Sequence, residues 1–226
     1  MSTTVCNRLG IDLPTVLAPM GGAVGPELAA AVSNTGGLGS LPLWYQDIGE
    51  LRRIVRATQS LTHTPFAANL NMEFPQEDQL DACLEEGVPI ISFFWQDPGK
   101  LIRTAKDAGA VVMQTVGDAE AAKRAVDSGV DVIVAQGWEA GGHVRGAVAT
   151  MPLIPAVVEK GRRHAGYRCG WHCRWPWARG GAFTGCRSGM DRHKISFQRR
   201  SDDPPGLSET CPASLRERYH LLQQSV

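Results

Sequence analysis

Between residues 14 and 160 the chain repeats one pattern six times: a short apolar run, a turn, an amphipathic stretch, and usually a glycine. The apolar runs are 14–20, 37–43, 65–72, 88–95, 110–116 and 130–135, and the amphipathic stretches are 26–34, 47–60, 77–86, 98–108, 118–128 and 152–159. Runs this short and this rich in branched residues predict buried strands; 130–135 in particular reads as buried on both faces. In 47–60, Ile48, Leu51, Ile54 and Val55 fall at helical spacing, with Arg52, Arg53 and Arg56 off that stripe. Pro26 suits a first helical turn, Asp118 an N-cap, and Gly87, Gly109 and Gly129 helix ends. No hairpin signal separates the units, so the strands are expected to run parallel with the helices returning the chain. Repeated right-handed crossovers lead to a (β/α)8 TIM barrel. An open doubly wound sheet shares the periodicity, but no Gly-x-Gly-x-x-Gly opens the first unit. The expected fold class is therefore α/β, an incomplete (β/α)8 TIM barrel of about six βα units, with an irregular C-terminal tail.

Chemistry in such folds gathers where strands end, and one strand end stands out. The run 130–135 is followed by Gln136 and Gly137, and the glycine-rich loop beyond carries Gly141, Gly142 and His143. Two glycines leave backbone N–H groups open to a ligand, and an imidazole beside them can exchange a proton near neutral pH. Spacing alone leaves His143 a surface residue as readily as a catalyst. With 23 basic and 23 acidic residues the 226-residue chain has no net charge, which argues against a nucleic-acid or anionic-membrane partner. No apolar run reaches the roughly 20 residues of a membrane span. Residues 1–8 lack a signal-peptide core, so a cytoplasmic location is expected.

The segment Gln136-Gly-Trp-Glu-Ala-Gly141-Gly142-His143 resembles the signature of the nitronate monooxygenase (2-nitropropane dioxygenase) family of flavin enzymes. A similar pattern occurs in the flavin-dependent enoyl-acyl-carrier-protein reductases. Three more segments resemble the family in the same order: Ala18-Pro19-Met20-Gly21-Gly22, the stretch 28–39, and Phe66-Ala67-Ala68-Asn69-Leu70. The resemblance implies FMN as cofactor, with Met20, Gly21, Asn69, Gln136, Gly141 and Gly142 at the flavin and His143 as catalytic base. It implies oxidation of an alkyl nitronate by O2 to a carbonyl compound and nitrite. One departure is Val144-Arg145-Gly146, a residue longer than the commoner His-Arg-Gly. Each position also has a plain structural reading: Met20 as core, Asn69 as a turn cap, Gln136 as a loop tether. Glu139 reads better as a loop-ordering carboxylate than as a second catalytic group.

Near Gly161 the character changes. Cys169, Cys173, Cys186 and Cys211 and the cluster Trp171, Trp175 and Trp177 follow it, without helical or strand period. Cys169, His172, Cys173 and Cys186 do not form paired Cys-x-x-Cys hooks, so no metal site is expected. Read one nucleotide forward, the tail resembles the family's seventh and eighth units. The shifted codons forced by Trp171-His172, Trp175-Pro176 and Trp177-Ala178 all encode glycine, and Met190-Asp191 encodes tryptophan. The domains expected are thus a partial flavin-binding barrel, 1–160, and an out-of-frame tail, 161–226. Trp171 and His172 would replace glycines of the phosphate-binding turn, so the chain as written is expected to bind FMN weakly or not at all.

Overall fold

The computed structural model describes residues 4–164, with side chains to Gly161. The tail reading and the expected irregularity of 165–210 lie outside the described residues. Helix α1 is Thr4–Leu9; then α2 (Pro26–Asn34), β1 (Gly39–Pro42), α3 (Ile48–Leu61), β2 (Phe66–Asn71) and α4 (Glu77–Glu85) follow. The rest are β3 (Ile90–Phe94), α5 (Lys100–Asp107), β4 (Val111–Val116), α6 (Ala119–Asp127), β5 (Val132–Ala135) and α7 (Thr150–His164). The strands pair in chain order, each parallel to the next. This is the partial barrel wall that the repeat predicts.

The helix ends explain why the repeat was so regular. Gly87, at φ 73°, donates to Leu84 O and Val88 donates to Cys83 O, the paired bonds that close a helix through one left-handed residue. Gly36, Gly109 and Gly129 close α2, α5 and α6 with the same pair of bonds. At the other ends, Asp47 and Asp118 accept from the amides of Glu50 (2.9 Å) and Ala121 (2.7 Å). Off the apolar stripe of α3, Arg52 and Arg56 both bind Glu86 and hold its carboxyl at about 2. Burial pushes the Cys83 thiol up to about 12, so it is a packing residue rather than a nucleophile.

Three expectations need correction. The apolar run 14–20 forms a single parallel bridge, Val16 to Leu38, instead of a full strand. Pro14 and Pro19 have no N–H to give a ladder, and Ala18 O accepts from Met20 in a turn. The strand at 130–135 is not buried on both faces. Val132 and Val134 are buried while Ile133 and Ala135 are half-buried, an alternation that places one row against α6 and α7. Helix α7 also starts earlier and runs longer than the 152–159 expected, carrying Pro155 inside it.

The sheet buries two different faces. Leu41, Phe66, Ala68, Leu70, Ile91, Phe93 and Val112 pack under Leu51, Val55, Leu80, Leu101 and Ile102 of the outer helices. On the opposite face Leu38, Ala67, Ile90, Met113, Val132 and Val134 pack against Cys6 and Leu9 of α1 and against Ile11. Six residues are too few to show a helical period, so α1 was illegible in the sequence. It is anchored at the entry to β5 by Asp131, whose carboxylate takes Arg8, Lys106 (2.8 Å) and the Val112 amide (2.9 Å). Burial raises the Asp131 pKa, but these three donors outweigh it and hold the group below its ordinary value.

Candidate functional site

Along the α1-covered face, side chains alternate at every second residue, and each strand changes character from its start to its end. Leu38 gives way to Ser40, Ala67 to Asn69 and Asn71, Ile90 to Ser92, Met113 to Thr115, and Val134 to Gln136. All six of these polar residues are buried. Because the strands are parallel, the polar layer lies entirely at their carboxyl ends. Asn69 Nδ2 donates to Ser92 O (3.1 Å) and to Ser92 Oγ (3.4 Å). Ser40 Oγ and Thr115 Oγ1 are buried without a hydrogen-bond partner. Native folds satisfy nearly all buried polar groups, so two orphaned hydroxyls in one layer point to a ligand that supplies the partner.

His143 is held over this layer. Gln136 Nε2 donates to the His143 carbonyl at 2.9 Å, so the loop tether considered for Gln136 is real and its object is the histidine. The loop is pinned further along. Trp138 N donates to Val148 O (3.0 Å), and Glu139 Oε1 accepts from the Thr150 amide at the start of α7 (2.8 Å). Glu139 is therefore loop-ordering, as its sequence context suggested. Beneath the loop Gly117 and Gly146 meet backbone to backbone. A β-carbon on Gly117 would lie 2.7 Å from Gly146 Cα, and one on Gly146 would lie 2.5 Å from Gly117 O. The extra residue in Val144-Arg145-Gly146 ends at this contact. Gly141 and Gly142 border open space, with Gly142 at φ 74°.

Met20 is 43% exposed, so it is not a core residue. Its carbonyl accepts from Val24 (3.0 Å) in the turn that carries Gly21 and Gly22. Gly22 N donates to Tyr45 Oη (3.2 Å), and Tyr45 belongs to an aromatic group with Trp44 and Phe74 beyond β1 and β2. Met20, Asn69 and His143 thus share the carboxyl rim of the sheet. Of the expected site residues, Gln136 and His143 are joined directly.

The sequence reading missed Trp95, which it placed at the end of a strand. The strand stops at Phe94, and Trp95 adopts φ 65° with its ring 5.5 Å from the His143 imidazole, edge to face at 80°. It also missed Ser40 and Thr115, although polar residues at the ends of otherwise apolar runs were a usable signal.

Among the described residues no cluster of three or more His, Cys, Asp or Glu side chains could hold a metal, and no helix is long and apolar enough to cross a membrane.

A sequence profile described as nitronate monooxygenase matches residues 2–82 and again 71–160. A carboxyl-CoA dehydrogenase of Rhodococcus jostii, acting by its name on a 5-hydroxy-7a-methyl-1-oxo-octahydroindene skeleton, is 34% identical over 160 residues, covering 70% of this chain and 45% of that protein. A probable nitronate monooxygenase of Staphylococcus saprophyticus is 30% identical, covering 71% of this chain and 58% of its own length. Among solved structures, FabK of Thermotoga maritima superposes with a TM-score of 0.68 at 34% identity, covering 71% of this chain and 51% of that one. The chain spans about half the length of the relatives it matches.

Proposed function

The chain belongs to the nitronate monooxygenase family, and from that membership we propose that its polar rim holds FMN and serves the oxidation of an alkyl nitronate by O2 to a carbonyl compound and nitrite. The observation that carries this reading is the buried polar layer at the strand ends, with the unpartnered Ser40 and Thr115 hydroxyls inside it. The layer is also wide. Asn69 on β2 and Gln136 after β5 are three strand spacings apart, about 14 Å along the sheet, more than a short nitroalkane can bridge and suited to a flat heteroaromatic group. Bound FMN would supply the redox chemistry, which no side chain in the layer can perform.

The chain's own residues position and exchange a proton. Asn69, Ser40, Thr115 and Gln136 offer donors and acceptors to the polar edge of the ring system, and exposed Met20 offers an apolar support. Gly21, Gly141 and Gly142 leave the backbone accessible where the loops approach. His143, fixed through its carbonyl by Gln136, accepts the proton from the carbon bearing the nitro group, or holds the nitronate anion once that proton has left. Adding propyl-2-nitronate to the full chain in excess FMN, while following O2 uptake and nitrite, tests the reading. Nitrite formed in step with O2 consumption is expected; FMN titration without a binding signal, or binding without nitrite, overturns it.

A second reading is thioester chemistry, favoured by the 34% identity to the carboxyl-CoA dehydrogenase. Turnover of an acyl-CoA in place of the nitronate, under the same conditions, would establish it instead.

A further inference from the structure

We propose that Trp95 is a substrate-binding residue, its indole N–H donating to the anionic oxygen of the molecule held beside His143. The proposal rests on the functional reading above and adds to it the group that recognises the substrate's charge. Three features of Trp95 converge.

The first is its backbone. By alternation Trp95 belongs on the helix-covered face with Ile91 and Phe93, where a large apolar ring would be readily buried. Instead the chain turns left-handed at φ 65°, a conformation that a bulky residue adopts at a cost, and the side chain leaves that face. Strain of this kind persists where the surrounding structure imposes it, and it concentrates at functional sites.

The second is where the turn delivers the ring. The indole stacks on Phe94 at 5.0 Å and meets the His143 imidazole at 5.5 Å. The rings hold each other between two loops that follow different strands, β3 and β5.

The third is the indole nitrogen. Nε1 is buried and has no hydrogen-bond partner among the described residues. A buried indole N–H ordinarily finds an acceptor. Phe94 pairs in register with Thr115, whose own hydroxyl is also buried and unpartnered. With the Thr115 hydroxyl assigned to the flavin edge, the indole N–H remains as a donor without an acceptor, at a strand end next to a histidine. It matches one oxygen of an oxyanion such as a nitronate or a carboxylate of the same shape.

Isobutyrate is a carboxylate of the shape of propyl-2-nitronate that does not react. Its affinity for the full chain in excess FMN is measured by calorimetry, for the wild type and for Trp95→Phe. Phenylalanine keeps an aromatic ring against Phe94 and His143 while removing the N–H together with the second ring of the indole, and circular dichroism checks that the fold survives. The expected result is about a tenfold weaker isobutyrate affinity in the variant, the loss of one charge-assisted hydrogen bond, with a matching rise in KM for propyl-2-nitronate. Equal affinity in a folded variant overturns the role of Trp95 and leaves the functional reading standing. Wild type that takes up no isobutyrate, yet turns over the nitronate, also overturns it. Wild type that does neither removes both. Should the variant fail to fold, the wild-type chain with 15N-labelled indoles still decides: isobutyrate must shift a slowly exchanging indole N–H resonance, and a spectrum in which none moves refutes the proposal.

Discussion

The two ends of the sheet solve opposite problems with the same strands. At the entry of β5, Asp131 is a buried charge with every need met by Arg8, Lys106 and the Val112 amide, and α1 seals apolar residues below it. At the carboxyl end, Ser40, Thr115 and Trp95 hold buried polar atoms with no partner. A satisfied buried group stabilises a fold, and an orphaned one costs it stability. The difference separates polarity used up within the structure from polarity left without a partner, which under the proposed function meets a ligand. Substitutions at the two ends should therefore move stability and binding in different directions.

The largest effect is expected at His143. His143→Ala should lower kcat/KM for neutral 2-nitropropane, whose proton must leave, by about a thousandfold, the usual scale of a general base, with a smaller loss on propyl-2-nitronate and little change in melting temperature because its ring is exposed. A comparable loss of stability would make it a structural residue and erase the contrast. Next is FMN itself. Shifting the reading frame by one nucleotide near codon 160 should tighten FMN binding by about a hundredfold or more, since several charge-assisted hydrogen bonds to phosphate would be regained. Equal affinity by flavin fluorescence titration would refute the out-of-frame reading of the tail.

Asp131→Ala should destabilise the fold by about 2 kcal/mol, measured by urea unfolding, because it leaves the part-buried Val112 amide without its acceptor and removes the shared partner of Arg8 and Lys106. The pH dependence has a definite sign. Asp131 has a folded pKa below its unfolded value near 3.9. Its contribution is thus full above about pH 4 and is lost as pH falls through the lower folded value. Wild type and variant should differ at pH 7 and converge in acid once the Asp131 carboxylate is protonated; a gap that does not shrink as pH falls would show that packing, not charge, sets the effect. The smallest change is expected from Thr115→Val. Removing an orphaned hydroxyl at constant shape should leave stability within about 1 kcal/mol, or raise it, while weakening FMN binding several-fold. A clear loss of stability would mean that the hydroxyl is satisfied within the protein and that the two ends are not so different.

Much of this was legible in the sequence because much of it is local. A glycine three residues past the carbonyl it bonds, an aspartate capping the third amide after it, and an apolar run between them are relations within a few residues. The parallel α/β repeat and the bounds of α2 to α6, to within about two residues, followed from such local signals, whereas those of α1 and α7 did not. Gln136 and His143 were also legible as a pair, through resemblance, though not the hydrogen bond that links them.

What the tertiary structure alone decided depends on residues far apart in the chain. Arg8 finds Asp131 across 123 positions, which turns an unremarked six-residue helix into the seal of one face. Gly117 and Gly146 are small for each other's sake, and neither betrays this locally. Met20, plausible as core, is exposed at the rim, and Trp95, plausible as strand, is turned against the histidine. The physical reason is common to all four. Periodicity records which face of an element is buried, whereas a side chain's partner is set by the packing of elements that the pattern leaves independent.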